Sequence, residues 1–177
     1  MAENKNSDVL SFEEVLPKVL KLQLFADFKA DNDEDIRILK LVLNEFHRKD
    51  FKAGELIIKE GDVGENFYIL TLGNVQVLRN TMAGDKIALA NLSADMGFFF
   101  GETALIGSDK RGATVVALTD CRTITITGKR FKELCETEPI LGYRVMLCLA
   151  KRMSSTIKKT NSDMATLYEA LFDEVLN

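Results

Sequence analysis

Phe100-Gly101-Glu102-Thr103-Ala104-Leu105-Ile106, followed after a polar turn by Arg111-Gly112-Ala113-Thr114-Val115, is the stretch that decides how this chain folds. A tight glycine turn leads into a short apolar segment able to begin a helix, with a carboxylate at its start. Ten residues after the glycine an arginine returns and opens a strand-like run. A helix start offers unpaired backbone N–H groups and the positive end of a dipole. Arg111 adds a planar fork of donors that matches phosphate oxygens. An ionised Glu102 only accepts hydrogen bonds, so it repels phosphate and welcomes a hydroxyl. The combination suits a small anion that also carries hydroxyls, and a ribose phosphate meets all three requirements. The plain alternative is a structural salt bridge between Glu102 and Arg111.

On both sides of this stretch, from Phe51 to Ile126, short runs rich in Val, Ile, Phe and Tyr alternate with turn residues. The breaks fall at Gly61-Asp62, Gly64-Glu65, Leu72-Gly73-Asn74 and Ala83-Gly84-Asp85. Cys121-Arg122-Thr123-Ile124-Thr125-Ile126-Thr127 alternates, which predicts Ile124 and Ile126 inward and the threonines outward. Many short strands at close spacing point to an antiparallel sandwich or barrel.

The flanks have helical spacing. Residues 1–7 are polar and expected to fray. Val9, Phe12, Val15, Leu16, Val19 and Leu20 predict a helix over Val9–Phe28, with Ser11 and Glu14 as a capping box and Pro17 as a kink or restart. A second helix is predicted from about Asp33 to Phe46, with Ile36, Leu39, Leu43 and Phe46 on one stripe. Asp31, Asp33, Glu34 and Asp35 at its start are better read as a solvated, well-capped helix terminus than as a cation site. After Gly128 come a short helix, Lys129–Glu136, with Phe131, Leu134 and Cys135 inward, and then a helix from Ile140 to about Asn177. Pro139 fits that helix's first turn, and Thr160-Asn161-Ser162-Asp163 is a candidate break.

A chain of 177 residues suits one domain with flanking helices, and 46% hydrophobic residues can build a sizeable core. A net charge of −4 disfavours a general nucleic-acid surface. Cys121, Cys135 and Cys148 lack metal-ligand spacing and read as small core residues in a reduced compartment. The N-terminus has no apolar core for a secretory signal, and no run approaches the ~20 apolar residues of a membrane helix. A cytoplasmic protein with no membrane contact is expected. The single histidine, His47, is placed at a charged helix end on the surface. Metal-dependent jelly-roll enzymes need several histidine ligands, and no Ser/His/Asp or Cys/His set can be assembled, so neither a metal nor catalysis is expected.

The Gly101–Val115 stretch closely resembles the phosphate-binding cassette of cyclic nucleotide-binding domains, the modules of protein kinase A regulatory subunits, bacterial catabolite-activator proteins and cyclic nucleotide-gated channels. Phe51–Asp62, Phe67-Tyr68-Ile69-Leu70 and Gly73-Asn74-Val75-Gln76-Val77 resemble that family's opening strands, and the likeness runs from roughly Leu24 to the C-terminus. It implies a mainly β fold: an eight-stranded antiparallel jelly-roll β-barrel with N-terminal helices and a long C-terminal helix. The corresponding segments are 1–48, helical; 49–127, the barrel; and 128–177, hinge and lid or dimerisation helices.

The resemblance also implies a ligand and roles for residues. The ligand is a cyclic nucleotide, cAMP, with cGMP the other candidate. Backbone amides at Gly101, Thr103, Ala104 and Ala113 face the phosphate and ribose. Glu102 accepts from the ribose 2′-hydroxyl, and Arg111 pairs with an exocyclic phosphate oxygen. Thr103 stands where a larger apolar residue is usual. Gly112 stands where Ala, Ser or Thr is common, and the lack of Thr there tilts the reading toward cAMP. Thr156, and Thr160 one turn later, match the position from which the long helix meets the base; Leu89 and Val75 are apolar candidates for the same contact. Ligand binding would swing the C-terminal helix onto the base as a lid.

Leu149, Met153, Met164, Leu167, Leu171 and Val175 form an apolar stripe that favours a homodimer, with imperfect heptads around Thr156–Asp163. No DNA-reading, kinase, cyclase or channel segment is read in these 177 residues, so the expectation is either a receptor acting through an unidentified downstream protein partner or a fragment of a longer protein, with no nucleic acid bound by this chain alone. The competing expectations are the effector domain of a transcription regulator lacking its DNA-binding domain, and a degenerate scaffold that binds nothing.

Overall fold

Eight short strands in two antiparallel sheets form the centre of the chain, in a computed structural model that describes residues 12–81, 83–107 and 110–176. In chain order they are β1 (His47–Phe51), β2 (Leu56–Ile58), β3 (Asn66–Leu72), β4 (Asn74–Asn80), β5 (Lys86–Ser93), β6 (Phe99–Phe100), β7 (Thr114–Ala117) and β8 (Cys121–Thr127). One sheet runs β1-β8-β3-β6 and the other β2-β7-β4-β5. The chain crosses repeatedly between sheets, which is the jelly roll expected from the sequence. The β3–β4 corner is drawn tight at Gly73. Its φ is +88°, and a Cβ there would fall 2.4 Å from the Asp120 carbonyl oxygen, so only glycine fits.

The β1-β8-β3-β6 sheet is buried on both faces. Phe51, Tyr68, Leu70, Phe100 and Cys121 point between the sheets, where they meet Ile58, Val75, Val115 and Ala117. Phe67, Ile69, Phe99, Ile124 and Ile126 point the other way, into a collar of helices. This corrects the expectation of outward threonines in β8 at Thr123, while Thr125 is half-buried and Thr127 is exposed. Thr123 is fully buried, because its side of the strand faces the second sheet and not water. Its hydroxyl donates to the Lys49 carbonyl at 3.0 Å, and Thr125 donates to the Phe67 carbonyl at 2.7 Å. Both hydroxyls are thereby satisfied, that of Thr123 inside the core and that of the half-buried Thr125 at its edge.

The collar consists of α1 (Phe12–Val19), a 3₁₀ turn (Gln23–Phe25), α2 (Asp33–Leu43), α4 (Gly128–Thr137) and the first turns of α5 (Pro139–Leu176); the short α3 (Thr103–Ile106) lies between β6 and β7. The predicted Val9–Phe28 helix is shorter than expected. It stops two residues past Pro17 and gives way to the 3₁₀ turn, while Val9 and the Ser11 cap lie outside the described residues. Helix α2 ends at Leu43, so His47 opens β1 and is exposed there instead of closing a helix. The C-terminal helix is continuous through Thr160–Asp163, with no break. Cys121 is buried, but Cys135 and Cys148 are only half-buried at the collar.

Three arginine–carboxylate pairs join the N-terminal helices to α4 and α5. Arg130 grips Glu45 with two hydrogen bonds of 2.8 and 2.7 Å, and Arg37 grips Glu138 at 2.6 and 2.8 Å. The third pair corrects the reading of the acidic cluster as uniformly solvated. Asp35, only 3% exposed, accepts from Arg144 at 2.6 Å and from the Lys29 amide at 2.9 Å. Arg144 also donates to the Asp27 carbonyl and lies 4.7 Å over the Phe28 ring. Leu141, Val145 and Leu149, spaced by four, bury the base of α5. From Met153 to Asp173 every side chain is exposed.

Candidate ligand-binding site

The turn after β6 is set by Gly101, at φ +76°. A Cβ there would approach Arg111 Nη1 and the Asn66 carbonyl oxygen to 2.9 Å each. Glu102 follows as the residue before α3, half-exposed, with its carboxylate making no capping bond. Arg111 is pinned through its backbone to the β2–β3 loop. Its amide donates to the Asp62 carbonyl at 2.8 Å, and its carbonyl accepts from the Gly61 amide at 2.9 Å. The sequence-distant β2–β3 loop and the Gly101 turn are thus brought around one guanidinium.

That guanidinium is buried, with 6% of the residue exposed. Nη1 donates to the Gly101 carbonyl at 3.1 Å and Nη2 to the Asn66 carbonyl. No ion pair joins Arg111 to any carboxylate among the described residues, so the salt-bridge alternative with Glu102 is not the geometry observed. Burial pushes the guanidinium's pKa down, opposed by the fields of Tyr68 and then Glu102. Gly64 provides the space for it: a Cβ there would lie 1.9 Å from Arg111 Nε. A cavity of about 530 Å³ opens beside it, bordered by Ile57, Lys59, Asp62, Asn66, Tyr68 and Arg111. This volume falls within the range of small-molecule sites. A buried cation with no carboxylate partner among the described residues, next to such a cavity, is arranged to receive an anion.

Residues 48–138, half of the chain, match the family model described as the cyclic nucleotide-binding domain. The chain belongs to this family. It is 28% identical over 113 residues to the cyclic AMP receptor protein of Thermus thermophilus, covering 64% of this chain and 51% of that protein. It is 33% identical over 88 residues to the cAMP-dependent protein kinase regulatory subunit of Dictyostelium discoideum, covering 49% of this chain and 27% of the subunit. Among solved structures, the catabolite activator protein of Thermus thermophilus superposes with a TM-score of 0.66 at 25% identity, covering 78% of this chain and 62% of that one. The chain spans about half, or less, of the length of the curated relatives it matches.

Within this cyclic nucleotide-binding domain the sequence-predicted residues divide into two groups. Gly101, Glu102, Thr103 and Ala104 lie at the β6–α3 turn and Arg111, Gly112 and Ala113 just before β7, joined by the Arg111–Gly101 hydrogen bond, and of these seven only Arg111 borders the cavity. Thr103 and Gly112 are exposed, Ala104 is buried and Ala113 is half-buried; nothing lies within 4 Å of where a Gly112 Cβ would stand. Thr156 and Thr160 lie on the exposed outer part of α5 and do not border the cavity; Thr156 donates to the Arg152 carbonyl at 3.1 Å. Val75 is buried between the sheets, whereas Leu89 is 53% exposed on β5 and points away from the interior. Gly64, Asn66 and Tyr68 were not singled out for the site by sequence reasoning, although the Gly64-Glu65 break marked the loop.

The cassette also touches the helical collar. A Cβ on Gly128, the first residue of α4, would lie 1.8 Å from the Ala104 carbonyl oxygen, and the Gly128 amide donates to Glu65 at 2.8 Å. Backbone therefore meets backbone where α3 abuts α4. Among the described residues no cluster of His, Cys, Asp or Glu is placed to hold a metal ion, and no helix is long and apolar enough to cross a membrane.

Proposed function

We propose that this domain is a cytoplasmic sensor that binds cAMP in preference to cGMP and reports occupancy through α4 and α5. The observation that carries the reading is Arg111: a buried guanidinium with no carboxylate partner among the described residues, beside a nucleotide-sized cavity. A cyclic phosphodiester supplies the missing negative charge, and a charge-assisted pair there is strong because water is excluded. Glu102, within the same turn, accepts from the ribose 2′-hydroxyl. Gly112 offers no hydroxyl for a guanine edge, which favours adenine. The relatives named for cyclic AMP support the same choice.

Coupling runs through the Ala104–Gly128 contact. A shift of α3 on ligand binding moves the start of α4, and α5 follows. Closure of α5 over the base would bring Thr156 and Thr160 toward the ligand. The exposed Met153, Met164, Leu167 and Leu171 would serve a homodimer, and the collar a downstream protein. The domain acts by binding and not by turnover. Calorimetric titration with cAMP and cGMP, repeated in Arg111→Ala, tests the reading: micromolar or tighter cAMP binding lost in the variant is the expected result. Absence of heat and of thermal stabilisation with either nucleotide would refute it.

A further inference from the structure

We infer that the Tyr68 hydroxyl is a second protein donor to the ligand's phosphate, acting with Arg111 from the floor of the same cavity. The inference rests on the proposed reading of that cavity as a cyclic nucleotide site. Tyr68 lies on β3 directly across from Phe100, the residue that enters the Gly101 turn. Asn66, whose carbonyl holds the Arg111 guanidinium, is two residues earlier on the strand. Residues i and i+2 share a strand face, so Tyr68 is one repeat along from the arginine's seat. The ring is fixed from two sides: stacked on Phe100 at 5.3 Å and 18°, and edge-on to Phe51 at 6.4 Å.

Tyr68 is 95% buried (5% exposed) and borders the cavity alongside Arg111. Its hydroxyl has no hydrogen-bond partner among the described residues, and it is not an enclosed atom, so it is open to a donor or acceptor from outside the chain. Thr123 and Thr125, polar groups in the same sheet, are each satisfied by a backbone carbonyl. The Tyr68 hydroxyl instead stays unpartnered among the described residues, on a side chain that borders the cavity.

The chemistry of the ligand accounts for it. A cyclic phosphodiester has two exocyclic oxygens sharing one negative charge. The Arg111 fork already spends two N–H groups on the Gly101 and Asn66 carbonyls, and Glu102 is an acceptor only. The phenol supplies a donor for the second oxygen without adding charge.

The test titrates wild type, Tyr68→Phe and Arg111→Ala with cAMP, then with the two diastereomeric phosphorothioate analogues that replace one exocyclic oxygen or the other by sulfur. Phenylalanine keeps both ring contacts, so the melting temperature is expected to hold. Affinity should fall by about 10- to 100-fold, the size of one hydrogen bond to a charged group. Wild type should discriminate between the diastereomers, and Tyr68→Phe should lose much of that discrimination, which a purely structural role would leave intact. A second readout needs no change at Tyr68. The chain has no tryptophan and three tyrosines, and Tyr143 and Tyr168 are exposed, so in Tyr143→Phe/Tyr168→Phe all tyrosine emission comes from Tyr68. That emission should be quenched when cAMP binds. Unchanged affinity and unchanged diastereomer ratio in Tyr68→Phe, with binding still abolished in Arg111→Ala, would overturn the inference and leave the function standing. Failure of wild type to bind any cyclic nucleotide would overturn both.

Discussion

Arg144 and Arg111 are both withdrawn from water, and the chain treats them in opposite ways. Arg144, with 28% of its side chain exposed, has its counter-charge built in: Asp35, buried on α2, with the Phe28 ring and the Asp27 carbonyl completing the seat. Among the described residues, the Arg111 guanidinium has two backbone carbonyls and no carboxylate. At the collar the ion pair is encoded within one molecule, so it works for stability whatever is dissolved around it. Under the proposed function the cassette's negative charge arrives from outside, so satisfying the arginine and binding the ligand would be one event. The difference would then separate a residue that holds the fold from one that senses.

The contrast can be broken from either side. The largest effect is expected from Arg111→Ala, which should cost on the order of 2–5 kcal/mol of ligand binding, measured by calorimetry. The collar arginine should respond through stability instead. Asp35→Ala strands the Arg144 charge and should lower unfolding free energy by about 2–3 kcal/mol, somewhat under the fully buried case because Arg144 keeps some water. Urea denaturation measures it. Signs should then diverge in the methionine pair: Arg144→Met lowers the ligand-free melting temperature by leaving Asp35 unpaired, whereas Arg111→Met leaves it unchanged or raises it. A fall of equal size in both would erase the distinction.

A smaller effect isolates the space around the cassette arginine. Gly64→Ala sets a methyl against the guanidinium and should weaken binding by about 1–2 kcal/mol, the scale of local overpacking. The smallest effect is on pH dependence. The Arg130 hydrogen bond holds Glu45 below the usual carboxylate range, and that of Arg37 does the same for Glu138. A depressed carboxylate contributes stability above its unfolded value of roughly 4.3, and the contribution is lost as pH falls through the lower folded value. Melting temperature should therefore decline below about pH 4.3, less steeply in Glu45→Gln. Ligand affinity should stay flat from about pH 5 to 8, since neither a guanidinium nor a phosphodiester titrates there.

The barrel was legible because its signals are local. Gly101, Glu102 and Arg111 stand in one short frame, and strand runs broken by glycine announce the turns. Thr123 of β8 was misread as outward for a physical reason. Period-two alternation tells which residues share a face, not whether the opposite face meets water or a second sheet. Asp35 was hidden in the same way: four acidic residues at a helix start look alike in sequence, and only the return of α5, 109 residues later, selects one of them as a buried partner. Tyr68 gave no signal of its own, because an aromatic residue in an apolar strand reads as core. His47 moved from helix to strand across an element boundary, where sequence patterns are weakest.

The continuity of α5 has a mechanical consequence. Beyond Leu149, the last buried anchor, the helix runs on to Leu176 as a rod of about 40 Å at ~1.5 Å per residue. A pivot of about 10° at its base would carry the tip through about 7 Å, taking the same rise per residue. An unbroken rod transmits that rotation without dissipating it in a joint, so under the proposed coupling a small displacement of the Ala104 carbonyl would become, at the far end, a stroke the size of a side chain.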